Sequence, residues 1–265
     1  MEKTMTRLRL FSVLLAIVAS TMFASADNSK GKCGNNLKWA YDQRKATLTI
    51  TGYGEMYDYA SGSYGAPWTE YNEHIMQLNL PEGLTYVGMR AFKGLRVLPS
   101  VNIPSTVTTI GEDAFSFCSS LESITFSEPS QLQCIGLWAF TECSALTSIN
   151  IPGSVTSIEY DAFFYCENLK DITVNWTDLS GVNTDAGAFE DVPIEQVNLH
   201  VPAGTKNIYA AVEPWSRMNI LENGHEAVDA VASDPSSVTH KILRNGQVYI
   251  LRTGNTYTLT GTEIK

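Results

Sequence analysis

Val101-Asn-Ile-Pro-Ser-Thr-Val-Thr-Thr-Ile-Gly-Glu-Asp-Ala-Phe-Ser-Phe-Cys118-Ser-Ser-Leu121 returns further along the chain as Ile149-Asn-Ile-Pro-Gly-Ser-Val-Thr-Ser-Ile-Glu-Tyr-Asp-Ala-Phe-Phe-Tyr-Cys166-Glu-Asn-Leu169. Both follow I-x-I-P-x-x-V-x-x-I-x-x-x-A-F-x-x-C-x-x-L, with Val101 standing for the first Ile. Outward from these two copies, the phenylalanine recurs at Phe92, Phe115, Phe140, Phe163 and Phe189, at separations of 23, 25, 23 and 26 residues. One unit is being reused with small insertions. A unit this short cannot bury its own apolar face and must stack on its neighbours, so the pattern predicts a solenoid.

Within one turn, strand side chains alternate between faces, so Ile-x-Ile sends two side chains inward and one outward. Proline ends the strand. The Val and Ile three residues apart, the Ala beside Phe, the Cys and the final Leu complete the inward set. The phenylalanines, together with Cys118, Cys143 and Cys166, are therefore expected as structural core columns. Gly94 reads as the occupant of the cysteine position in the first copy. The second strand unit carries an insertion around Ser127–Gln131, and the fifth, Ile172–Gln196, lacks a clear Val-x-x-Ile step.

This motif resembles the BspA-type leucine-rich repeat of secreted and surface proteins of Gram-negative bacteria, over residues 78–203. Cys33-Gly-Asn-Asn-Leu-Lys-Trp-Ala-Tyr, Thr47-Leu-Thr-Ile-Thr-Gly, Gly54-Glu-Met-Tyr-Asp-Tyr and Ala66-Pro-Trp68 resemble the cap that precedes such arrays. Val201-Pro-Ala-Gly-Thr and Pro214-Trp215 resemble their usual end. The organisation expected is a signal peptide (1–26), a β-rich aromatic cap (27–77), a mostly β solenoid with its C-terminal cap (78–222), a linker (223–240) and a C-terminal β tail (241–265).

Lys3, Arg7 and Arg9, the apolar run Leu10–Ala19 and the small residues Ala24-Ser-Ala26 have the layout of a cleaved export signal. The run is well short of the ~20 residues that span a bilayer, and Lys30-Gly-Lys before Cys33 does not suit lipid attachment. Export to the cell surface or medium is expected, with the periplasm as an alternative. The whole chain carries a formal charge of −10, and removing residues 1–26 leaves 15 − 27 = −12. Nucleic acid is thereby disfavoured as a ligand, because phosphate backbones are held by clustered Lys and Arg.

Catalytic or metal chemistry finds little purchase. His74, His200, His225 and His240 are far apart, and no C-x-x-C or H-E-x-x-H occurs. No cofactor is expected. Cys118, Cys143 and Cys166 share one slot in successive turns and read as packed thiols, with a bridge between turns as the alternative; Cys134 falls on the outer side. Acidic pairs such as Glu112/Asp113 and Glu190/Asp191 read as a solvated rim.

Two surfaces are candidates for recognition. The outward residue of each strand reads Asn79, Asn102, Thr125, Asn150, Thr173 and Asn198, a polar ladder about 24 Å long at ~4.8 Å per strand. Such a ladder serves either contact or its own cross-strand hydrogen bonding. Tyr57, Tyr59, Tyr64 and Trp68 belong to a Gly-rich aromatic loop, suited either to ligand contact or to closing the open end of the core. The tail, with turns at Asn245-Gly246 and Thr253-Gly254-Asn255, predicts a β-hairpin or meander; it resembles C-terminal modules that sort or attach secreted proteins. The resemblance as a whole implies a monomeric, non-enzymatic binding or adhesion protein whose partner is a host protein or a surface glycan. A ligand-free scaffold of the cell surface is the alternative, and a carbohydrate-active enzyme a distant third.

Overall fold

The computed structural model describes residues 29–60 and 65–223, and the backbone of four strands between 239 and 264. The expected signal peptide, the linker residues 224–238, Tyr64 and the tail turns lie outside the described residues. The chain divides into two compact units, at Asn223/Gly224. In the second, β17 (Thr239–Arg244), β18 (Gln247–Arg252), β19 (Asn255–Thr258) and β20 (Glu263–Ile264) pair in sequence as an antiparallel meander.

In the first unit the Ile-x-Ile segments become the rungs of a long sheet. β1 (Ser29–Lys32), β2 (Leu37–Asp42) and β3 (Thr47–Gly52) form an antiparallel cap, and β5 (Gln77–Asn79) joins β3 in parallel. β7 (Ser100–Ile103) pairs with β9 (Ser123–Phe126). β11 (Ser148–Ile151), β13 (Asp171–Val174), β15 (Asn198–Val201) and β16 (Asn219–Glu222) follow, all parallel. These three hydrogen-bonded groups lie end to end, β5 against β7 and β9 against β11. A second, narrower parallel ladder runs along β4 (Gly54–Glu55), β6 (Leu84–Val87), β8 (Thr109–Ile110), β10 (Cys134–Ile135), β12 (Ser157–Ile158) and β14 (Asn183–Thr184). It stacks Val87, Ile110, Ile135 and Ile158 inward, one per turn. In the fifth turn Thr184 takes that slot, which accounts for the missing Val-x-x-Ile step.

The third side of each turn is built around the phenylalanine. Rings of Phe92, Phe115, Phe140, Phe163 and Phe189 stack at 5.1–5.5 Å between centroids, tilted by 5–25°. The caps continue the column: Trp68 stacks on Phe92 at 5.6 Å with Trp39 edge-on behind it, and Trp215 closes the far end on Phe189 at 5.6 Å.

Around Phe92, Phe115, Phe140 and Phe163 the backbone takes a conformation the sequence did not announce. Residues two before and two after it sit in the left-handed region: Arg90, Asp113, Trp138 and Asp161 at φ 54–59°, and Gly94, Phe117, Glu142 and Tyr165 at φ 56–76°. Left-handed backbone is costly for side chains other than glycine, about 1–2 kcal/mol per residue. What offsets it is a ladder between turns. The N–H groups of Asp113, Phe115 and Phe117 donate to the carbonyls of Leu137, Ala139 and Thr141 of the next turn at 2.9, 2.8 and 2.7 Å, and those of Arg90, Phe92 and Gly94 do the same to Glu112, Ala114 and Ser116. Three peptides per turn thus point their N–H groups the same way along the stack. Gly94 belongs to this left-handed row, and the residue in the thiol slot of the first copy is Leu95, three after Phe92 and fully buried. At the last turn Val192 takes that slot.

At the head of the stack the carbonyls of the first turn have no preceding turn to accept from. The cap supplies the donors: Tyr59 N–H to Met89 O at 3.0 Å, Trp68 Nε1–H to Ala91 O at 2.8 Å and Asn72 Nδ2–H to Lys93 O at 2.8 Å. Buried carbonyls are rarely left unpaired, and this cap leaves none of the three so.

Candidate binding surface

The outward residues of the long sheet form rows fixed by strand register. One row runs Lys30, Ala40, Thr49, Asn79, then Asn102 and Thr125, then Asn150, Thr173, His200 and Leu221. The ladder expected from the sequence thus needs one correction: Thr173 stands opposite His200, while Asn198 stands opposite Asp171 in the neighbouring row with Ser148 and Asn219. The cause is the extra turn Ile194–Gln196, which moves the inward pair of that strand to Leu199 and Val201.

The ladder is hydrogen-bonded on either side of a gap between Thr125 and Asn150. Thr125 Oγ1 donates to Asn102 Oδ1 at 2.9 Å, and Asn102 Nδ2 donates to Ser127 Oγ at 2.9 Å. At the far end Asn219 Nδ2 donates to Asn198 Oδ1, Asn198 Nδ2 to Asp171 Oδ1, and His200 Nε2 lies 3.0 Å from the same oxygen. Those partners, His200 first, hold the Asp171 carboxyl below the usual carboxylate range. Between β9 and β11, where no strand hydrogen bonds run, a notch of about 170 Å³ is lined by Ile124, Thr125, Phe126, Glu128 and Asn150. Glu128 comes from the 127–131 insertion, so the irregular repeat opens an indentation in the ladder.

The aromatic loop is divided by the structure. Trp68 is fully buried and Tyr59 nearly so, the two packed edge to face at 5.7 Å. They close the core and cannot present a contact face. Burial also pushes the Tyr59 phenol well above its ordinary range. Tyr57 is exposed and donates from its hydroxyl to Asn35 Oδ1.

Glu112 and Asp113 are no solvated rim. Asp113 is 6% exposed and receives Arg90 Nε and Lys93 Nζ, both at 2.9 Å, while Arg90 Nη2 reaches Glu112 at 2.8 Å. Burial alone would raise the Asp113 carboxyl, but hydrogen bonds from Lys93, Ser116 and Arg90 outweigh it and hold it low. The two left-handed ridges of successive turns are thereby tied across their charged side chains.

The thiol column is an acceptor-matching device. Cys118, Cys143 and Cys166 are fully buried and free, and each S–H donates to the Phe carbonyl of the preceding turn, Phe92, Phe115 and Phe140, at 3.3–3.4 Å. Burial pushes the Cys118 and Cys166 thiols up to about 12 and Cys143 well above its ordinary value. Cys134, on the outer row between Thr109 and Ser157, is raised to about 11, first by burial and then by Glu159. A thiol that stays protonated is neither nucleophile nor metal ligand. Among the described residues no group of His, Cys, Asp and Glu side chains has the makings of a metal site.

Comparison with known proteins agrees with the repeat geometry. Residues 70–191 match the family described as the BspA type leucine rich repeat region, in six copies. The fold is similar to that of a leucine-rich repeat protein from Eubacterium ventriosum, at 22% identity and a TM-score of 0.55, over 68% of this chain and 45% of that one. Leucine-rich repeat proteins from Bacteroides ovatus (18% identity, TM-score 0.37, 65% and 59% of the two chains) and Faecalibacterium prausnitzii (21%, 0.32, 90% and 61%) also match. The chain spans less than half the length of the Eubacterium protein and about three fifths of the other two. No curated protein matches the chain. Residues 70–191 are thus an array of BspA-type leucine-rich repeats, with one stacked phenylalanine to each full turn.

Proposed function

We propose that the protein is an exported, non-enzymatic binding module that holds a partner at the cell surface on the outward face of its long sheet. The observation that carries this reading is the separation of the two faces of that sheet. In the central strands β7, β9 and β11 the inward positions are packed apolar side chains, while the outward positions are small amides and hydroxyls whose replacement leaves the core untouched. A repeat stack offers such an extended surface at no cost to its packing. The basic, apolar and small-residue sequence ahead of Asp27 supports export.

The test is an array of matrix proteins and glycans probed with residues 27–265. Capture is expected, and Asn102→Glu/Thr125→Glu/Asn150→Glu should abolish it while leaving the urea midpoint within about 0.5 M of the parent, since exposed substitutions usually change stability by less than ~0.5 kcal/mol each. Normal capture by that variant moves the site off the central ladder; no capture by the parent defeats the reading.

A further inference from the structure

We propose that the outward face of the cap sheet is a binding site for a carboxylated or sulfated polysaccharide, held by Lys30, Lys32 and Lys38. Strand alternation puts Lys30 and Lys32 on the outer face of β1, and antiparallel pairing sets Lys32 directly opposite Lys38 on β2. Like charges facing each other across a strand pair are destabilising. All three lysines are exposed, and none has an ion-pair partner among the described residues. Asp42, the outward acid of β2, stands at the far end of the strand, engaged by Lys45 and by the backbone N–H groups of the turn. The lysines border an open concavity of about 480 Å³ with Ala40, Thr51 and the edge of Trp39. Gly31 lets the two strands close over that indole, because a Cβ there would meet Trp39 Nε1 at 2.8 Å. A cationic triad with no ion-pair partner among the described residues, in a chain of net charge −10, is suited to an anion.

The chemistry of the surroundings selects the kind of anion. From the lysines the same face continues through Thr49, Thr51 and Asn79 to Asn102 and Thr125, donors and acceptors of the size that sugar hydroxyls match. No aromatic or arginine stands in these outward rows, whereas the centres of protein interfaces are rich in both. Three lysines are too few for a duplex, which engages on the order of 6–10 phosphate contacts, and the net negative charge repels an extended anionic surface such as a membrane. A single flexible polyanion meets the triad locally and escapes that repulsion beyond a Debye length of roughly 8–10 Å.

This inference rests on the binding-module reading and is tested beside it. Residues 27–265 are titrated with polygalacturonate, using neutral dextran, a DNA duplex and phosphatidylglycerol vesicles as the other probes. Binding of polygalacturonate alone is expected, weakened roughly tenfold or more in Lys30→Gln/Lys32→Gln/Lys38→Gln, as three exposed ion pairs contributing a factor of about two to five each require. The triple Lys→Arg variant should restore it, and unchanged circular dichroism establishes that both variants are folded. No binding of polygalacturonate, binding indifferent to the Gln variant, or equal binding of DNA or vesicles overturns the proposal. If the arrays capture some other ligand whose binding ignores the lysines, the site falls while the binding function stands; if the arrays too are blank, both fall.

Discussion

Truncating the central rung, Phe140→Ala, measures how much of the stability lives in the aromatic column. Phe140 is fully buried between Phe115 and Phe163, both rings 5.5 Å away and within 15° of parallel. Loss of a buried Phe side chain costs about 3–5 kcal/mol, including the cavity it leaves. Here the cavity sits between two stacked neighbours whose rings are held by their own turns, and each lost aromatic pair is worth about 0.5–1.5 kcal/mol beyond area burial. The upper half of the range, about 4–5 kcal/mol, is therefore expected, and with a urea slope of roughly 2–3 kcal/mol/M the midpoint should fall by about 1.3–2.5 M. Because each turn touches only its neighbours, a weakened middle rung should also separate the melting of the two halves. Urea unfolding followed by tryptophan fluorescence reads both, since Trp39 and Trp68 report the head and Trp215 the tail of the column. A loss below about 1 kcal/mol would refute the stacking argument.

Two further outcomes follow from the ridge and the thiols. Asp113 has its folded carboxyl held below its unfolded value, so its contribution to stability is present above the unfolded pKa of about 3.9 and is lost as pH falls through the folded one; Asp113→Asn should lower the urea midpoint at pH 7 and shrink the difference between parent and variant below pH 4, and a constant difference down to pH 2 would speak against the ion-paired carboxylate. Native protein at pH 8 should withhold Cys33, Cys118, Cys143 and Cys166 from a disulfide reagent until it unfolds, while Cys134, the partly exposed one of the five, reacts slowly; rapid reaction of any of the four, or fewer than five free thiols after denaturation, would contradict the buried column.

The repeat period and the core were legible because the inward positions carry the periodicity: Phe, Cys, Leu and the Ile pairs recur at fixed offsets and occupy fixed slots. What escaped the sequence is what depends on register or backbone twist. The apolar neighbours Val197 and Leu199 point to Asn198 as the ladder residue, but the last turn is one residue longer from Phe to strand and the register brings His200 into line instead. The left-handed pairs are invisible because Arg90, Trp138, Glu142 and Tyr165 are not residues that advertise positive φ. Gly94, the glycine of that row, reads in the sequence as the cysteine slot, which the structure gives to Leu95. For Trp68 and Tyr59 the sequence leaves contact and closing of the core as alternatives, and what separates them is their partners, the Ala91 and Met89 carbonyls of the first turn. Nor does spacing reveal that Lys32 faces Lys38, since hairpin pairing fixes that.

The three carbonyls at the head of the stack have an evolutionary corollary. Each turn shows the one before it the same trio of acceptors that the first turn shows to Tyr59, Trp68 and Asn72. Duplication or deletion of a whole unit in the interior therefore leaves the seams at both ends unchanged. The outward face can lengthen or shorten in steps of one strand spacing, ~4.8 Å, while the terminal plugs are inherited intact. Array length is a quantised variable, open to change by recombination in a way that the composition of a single turn is not.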